Sequence, residues 1–208
     1  SDDIHVGAYG VTNFGNTAAA TYGVIHTHQS ADAHRTLQVG SSLGMNAFSG
    51  DTNITQVFAE GAYKGFNTEK YSVEPYAGLS WIHTSGDSFS EKVSGMTFST
   101  TTEDQNLEVT TLGVRGSIAL PLAAAKVSLK GDVAWHHFFG DNRAKAVMNL
   151  AGSGVAHLKG GKLSNMASLG LGLEAKLGKM TTLGISYTGA YDGDATSNGV
   201  FANLRVNF

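Results

Sequence analysis

The chain has 208 residues, with 14 Lys plus Arg against 17 Asp plus Glu, for a formal net charge of -3; that is too near neutral for a nucleic-acid binder. Charged residues make up only 15% of it, against roughly 25% in an ordinary soluble domain, while Gly numbers 27, Pro 2 and Cys 0. The absent cysteine excludes a disulfide framework, a Cys-ligated zinc and a thiol nucleophile. No stretch approaches the roughly 18 consecutive apolar residues of a membrane-spanning helix. Ser1-Asp2-Asp3 opens the sequence with no basic-then-apolar leader, so any export signal is expected upstream or already removed.

Helical periodicity is poor. Its best candidate is Ala123-Ala124-Ala125, and Pro121 with the β-branched residues that follow argues against extension. Period-two alternation dominates instead. Two weakly sorted strands come first, around residues 4–12 and 18–28. Next, Val57, Ala59 and Tyr63 oppose Gln56 and Glu60, with Phe58 as an apolar intruder on the polar face. Val73, Ala77, Leu79 and Trp81 oppose Glu74, Tyr76 and Ser80. Leu112, Val114, Ile118 and Leu120 oppose Thr111, Arg115 and Ser117. Val127, Leu129, Val133 and Trp135 oppose Ser128, Lys130, Asp132 and His136. In residues 169–177 every odd position is apolar, and the even ones are Gly, Gly, Glu and Lys. Leu183, Ile185 and Tyr187 oppose Thr182, Ser186 and Thr188. Val200, Ala202, Leu204, Val206 and Phe208 oppose Asn203, Arg205 and Asn207. Successive strand residues point to opposite faces, so each segment has one greasy face and one polar one. The total is about nine strands by this pattern.

The connections alternate in length. Residues 14–17, 65–71, 121–126 and 178–180 are short; 29–53, 86–105, 141–164 and 192–198 are longer and rich in Ser, Thr, Gly, Asp and His. Short turns at one end and long polar loops at the other are the pattern of a transmembrane barrel. A soluble sandwich also alternates, with its apolar face inward. Three features favour lipid-facing apolar residues. The polar faces carry four acids and four bases, Glu60, Glu74, Asp132, Glu174, Arg115, Lys130, Lys176 and Arg205, which balance as in a shared aqueous lumen. Tyr63, Tyr71, Trp81, Trp135, Tyr187 and Tyr191 fall near strand ends, where aromatic rings suit a membrane–water interface. The last alternating strand runs to Phe208 with no polar tail.

On these residues the sequence resembles the autotransporter β-domain of Gram-negative bacteria. The resembling runs are 56–63, 73–79, 111–115, 131–141 (Gly-Asp-Val-Ala-Trp-His-His-Phe-Phe-Gly-Asp), 183–189 and 198–208, in the family's order over nearly the whole chain. The resemblance implies a type V secretion translocator: an outer-membrane barrel exported with an N-terminal passenger that ends outside the cell. It implies a roughly twelve-stranded barrel, as even-numbered single-chain barrels go, with a helix threading the lumen. An odd count of about nine then reads as the C-terminal part of that barrel, lacking its first strands. A missed strand near Leu37-Gln38-Val39-Gly40 is the alternative and would make about ten. Val200, Ala202, Leu204, Val206 and Phe208 resemble the signal by which the outer-membrane assembly machinery recognises its substrates.

Other chemistry is thin. His26 and His28 share a strand face near His34 and Asp32, too weakly spaced for a metal site. His136 and His137 point to opposite faces and cannot share an ion. No Gly-x-Ser-x-Gly elbow is present. Gly160-Gly161-Lys162-Leu163-Ser164 lacks the first glycine of a phosphate loop and its helix. The expectation is therefore an all-β, antiparallel outer-membrane barrel over residues 1–208, in one partial domain. It would be a translocator and anchor without catalytic residues, cofactor or metal. Its partners would be outer-membrane lipid, the barrel-assembly machinery and its own passenger, but not nucleic acid. A pore or barrel enzyme without passenger is the alternative, and a soluble β-sandwich binding module a third reading. Glu60, Glu74 and Arg115, on consecutive strands, are expected to gather as a lumen charge cluster, because an unpaired charge in a narrow lumen is costly.

Overall fold

The computed structural model describes residues 2–39, 42–93, 96–122, 125–150, 154–178, 180–193 and 195–206. Among them there is no helix. The strands are β1 (Asp2–Phe14), β2 (Ala18–Val39), β3 (Ser42–Tyr63), β4 (Tyr71–Gly86), β5 (Phe89–Val93), β6 (Met96–Thr102), β7 (Gln105–Leu122), β8 (Ala125–Gly140), β9 (Arg143–Leu150), β10 (Val155–Lys162), β11 (Asn165–Leu177), β12 (Thr181–Tyr191) and β13 (Thr196–Val206). Nine of them pair antiparallel in one sheet, in the order β1-β2-β3-β4-β7-β8-β11-β12-β13, and four form a second sheet, β10-β9-β6-β5. The large sheet is a meander in chain order, interrupted only by the inserted hairpins β5–β6 and β9–β10. It curls into a half-barrel.

Among the described residues the alternating segments predicted from sequence lie in this sheet, and the count of nine matches it. The loops differ. Residues 29–53, read as a loop, continue the β2–β3 hairpin without a break, from Ala18↔Tyr63 to Val39↔Ser42. Leu37 and Val39 belong to that extension, so no tenth strand joins the sheet there. Residues 86–105 and 141–164 hold the two inserted hairpins, joined by β6–β9 pairing. The Ser, Thr, Gly and His content that reads as loop is no obstacle to pairing, which uses only backbone N–H and C=O groups. Residues 123 and 124 of the helix candidate lie outside the described residues, and Ala125 opens β8. The short connections are tight; at one of them Gly178 has a φ of 71°, a conformation that disfavours a Cβ.

Directly opposed residues of an antiparallel pair share a face. One such row runs Val73, Gly116, Gly131, Leu171, Tyr187, Val200. The apolar face is the open one: Leu79 is 62% exposed, Val133 58% and Val200 70%. The charged face is crowded, with the Glu74 side chain 19% exposed and Glu60 27%. Crowding marks the concave side, so the sheet curls around its polar face. Among the described residues β1 pairs only with β2 and β13 only with β12, which leaves both as sheet edges.

Candidate functional site: a charged wall on the inner face

The site is built on the middle of the sheet. β4 and β7 pair so that Glu74 stands opposite Arg115, and β7 and β8 so that Arg115 stands opposite Asp132. Acid, base and acid thus share one row, fixed by strand register. Arg115 Nη1 donates to Glu60 Oε1 on β3 at 2.7 Å. Its Nε donates to Glu74 Oε2 at 3.3 Å. The Glu60 bond crosses the intervening β4, about 10 Å from β3 to β7 at ordinary strand spacing. Glu60 covers part of that span itself: its Cβ and Cγ lie 3.7 and 3.8 Å from where a Cβ on Gly78 would sit, the residue between Glu60 and Thr111 in the register.

Tyr76 completes the cluster. The Arg115 guanidinium carbon sits 5.0 Å from the centre of its ring. Its hydroxyl donates to Asp132 Oδ2 at 2.9 Å, crossing β7. It crosses at Gly113, its opposed residue, where an added Cβ would collide with the Tyr76 ring. Asn67 Nδ2, from the turn between β3 and β4, donates to the second oxygen of Glu74 at 2.8 Å. A second ion pair lies further along the wall, Lys130 Nζ to Glu174 Oε2 at 2.7 Å. His136 bridges Thr111 and Ser168 at 3.0 and 2.9 Å. The wall therefore presents fixed charges of both signs, with Glu60, Glu74, Asp132 and Glu174 set among Arg115 and Lys130.

The structure brings Glu60, Glu74 and Arg115 into direct contact. Tyr76 and Asp132 were legible as polar-face residues but not as partners, because their bonding crosses a strand. Asn67, in a turn, had no signal at all. Val200, Ala202, Leu204 and Val206 lie opposite Tyr187, Ile185, Leu183 and Thr181 on the outer face; Phe208 lies outside the described residues. The aromatics Tyr63, Tyr71, Trp81, Trp135, Tyr187 and Tyr191 share that outer face by register. His26 and His28 share it too, spent on Thr55 and Asn53 at 2.9 and 3.0 Å. Among the described residues no three His, Asp or Glu side chains are placed to hold a metal ion. His137 faces outward, bonded to Asn165, away from His136.

A meander that is apolar on its convex face and charged on its concave face is the wall of an outer-membrane β-barrel. Residues 1–188 match the family described as Autotransporter beta-domain. The chain belongs to that family, a translocator unit of the Gram-negative outer membrane. Two relatives from Serratia marcescens, each described as an extracellular serine protease, are 25% and 23% identical to it over 210 residues. Both alignments take in the whole of this chain and 20% of the relative, so the chain spans about a fifth of their length.

Proposed function

We propose that this domain anchors a longer polypeptide in the outer membrane and mediates surface export of an N-terminal passenger. The observation that carries the reading is the two-faced sheet: exposed Leu, Val and aromatic residues outside, and the Glu60–Arg115–Glu74 wall inside. The outer face makes membrane residence favourable, at about 25 cal/mol for each Å² of apolar surface removed from water. The inner wall supplies fixed hydrogen-bonding groups along which an extended chain can move without losing solvation. The relatives named as extracellular proteases support the reading, since each extends far beyond the part matched by this chain. No catalytic role is assigned to this segment.

The domain's partners in this reading are outer-membrane lipid, the barrel-assembly machinery and the passenger. The outward row Val200, Ala202, Leu204 and Val206, with Phe208, is the segment the machinery would engage. Edges β1 and β13 need pairing in the bilayer, because each unsatisfied backbone group there costs several kcal/mol, on the order of 2–7. Further strands of the same polypeptide fill that role in this reading, making residues 1–208 part of one barrel domain. The test is surface labelling of the full-length protein in cells. An epitope N-terminal to residue 1 becomes accessible to added protease while the β-domain resists extraction from the membrane. An epitope that stays protected while the β-domain is inserted overturns the export role. Deletion of Phe208 lowers the inserted fraction several-fold; unchanged insertion removes the assembly-signal role.

A further inference from the structure

The outer wall changes character at the rim that carries the long connections. On β8 the outward side chains Trp135, His137 and Phe139 stack in succession, with ring centroids 5.6 and 6.0 Å apart. His137 Nδ1 lies 3.0 Å from Oδ1 of Asn165, its register partner on β11. The same cross-strand pair recurs on this face as His28 with Asn53 at 3.0 Å and His83 with Asn106 at 3.1 Å. Directly beyond His137 and Asn165 the β9–β10 hairpin leaves the sheet. Residues 143–162 carry Arg143, Lys145, His157, Lys159 and Lys162 and contain no Asp or Glu.

Pairing gathers those cations on one face. Lys145 stands opposite Lys159, and Arg143 opposite Lys162. Like charges directly opposed destabilise a hairpin. Asp141 compensates Lys145 at 3.4 Å. Among the described residues no carboxylate lies within ion-pair distance of Arg143, Lys159 or Lys162. The other face of the hairpin fixes the orientation. It carries Ala146 and Met148, opposite Thr102 and Thr100 of β6. Thr102 lies 3.6 Å, and Thr52 Oγ1 3.7 Å, from where a Cβ on Gly86 would sit. Thr52 and Gly86 are opposed positions on the inner face of the large sheet. That contact puts the Ala146–Met148 face of the hairpin on the side of the inner wall and leaves the cations on the opposite face.

We propose that Arg143, Lys145, Lys159 and Lys162, above the His137–Asn165 pair, form a binding surface for the phosphate groups of a glycolipid in the outer leaflet. The proposal goes beyond export and rests only on residence in the outer membrane. Apolar chains would lie along Val133 and Trp135, the sugar ring against Trp135 and His137, and the phosphates against the four cations. This order, apolar then aromatic then cationic, is the order of a lipid's own chemistry from tail to headgroup. Phosphates from the lipid would also supply the counter-charge that Arg143, Lys159 and Lys162 lack among the described residues.

The test uses the full-length protein in phosphatidylcholine nanodiscs, titrated with a bisphosphorylated diglucosamine glycolipid and with its dephosphorylated form. Binding is read by native mass spectrometry and by Trp135 fluorescence. The native protein binds the bisphosphorylated form at least about tenfold more tightly, as several cations near an anionic headgroup should give. R143Q/K145Q/K159Q/K162Q loses that preference, and a control of equal charge change at the opposite rim, K64Q/K70Q/K126Q/K176Q, keeps it. Heat-modifiable gel migration checks folding. Should the quadruple variant not fold, the exposed single changes K159Q and K162Q are read instead, each expected to weaken binding about fivefold. Equal binding of both lipids by the native protein overturns the proposal, as does retained preference in the quadruple or both single variants. Glycolipid binding that appears only once a secreted segment is cut away also overturns it, because that segment would then be the occupant.

Discussion

Replacing Arg115 with Met tests the inner wall at its centre. The change keeps most of the aliphatic stem and removes the charge, both hydrogen bonds and the contact with Tyr76. Charge-assisted bonds contribute about 1.5–3 kcal/mol each when shielded from water. Here Glu60 and Glu74 are largely covered, at 27% and 19% exposed, but Arg115 is 39% exposed. Solvent screening at the arginine lowers each bond to about 1 kcal/mol. Loss of the cation–ring contact adds about 0.5 kcal/mol. Asn67 still holds one oxygen of Glu74, so the stranded carboxylate is chiefly Glu60. The expected loss is about 2–3 kcal/mol, a factor of roughly 30 to 150 in the folding equilibrium. The assay is urea titration of the full-length protein folded in lipid bilayers, followed by gel mobility and tryptophan fluorescence. A cycle pairing Arg115→Met with Glu60→Gln should give a coupling of about 1 kcal/mol. A loss under about 0.5 kcal/mol with no coupling would refute the reasoning, since it would mean three separately hydrated side chains.

Three further outcomes follow from particular residues. Gly113→Val places methyl groups where the Tyr76 ring lies, so the Tyr76–Asp132 bond breaks and stability falls by about 1–3 kcal/mol; the same loss in a Tyr76→Phe background would exclude that bond as its cause. Val133→Lys, on the outer face opposite Val114 and Leu169, costs about 2–4 kcal/mol in a bilayer, whereas folding yields unchanged by the substitution would mean that this face meets water. At the rim, the backbone N–H of Asn106 and then Lys145 hold the Asp141 carboxyl below its usual range. A lowered folded value means that its contribution is present above the unfolded Asp value, about 3.9, and is lost as pH falls through the folded one. Hydrogen-exchange protection of the Asn106 amide should drop in that acid window and be independent of pH there in Asp141→Asn.

The alternation of residues 169–177 or 73–81 needs only the two-residue repeat of a strand to be read, and that repeat is local. The sequence by itself therefore determined the sheet, its nine-strand meander, its two faces and the ends carrying short turns. It also placed Glu60, Glu74 and Arg115 on the polar face of consecutive strands. It misjudged residues 29–53, 86–105 and 141–164, where strands paired through backbone groups in a composition typical of loops. Which inner-face side chains meet was decided by register and curl. Register set Glu74 against Arg115 and Arg115 against Asp132. Curl brought Glu60 within reach of Arg115 across β4, and Tyr76 within reach of Asp132 across β7. The pairing of β6 with β9, between segments far apart in the chain, likewise joined the two inserted hairpins into one sheet. Such contacts depend on summed twist and strand offset over several neighbours, which no single segment encodes.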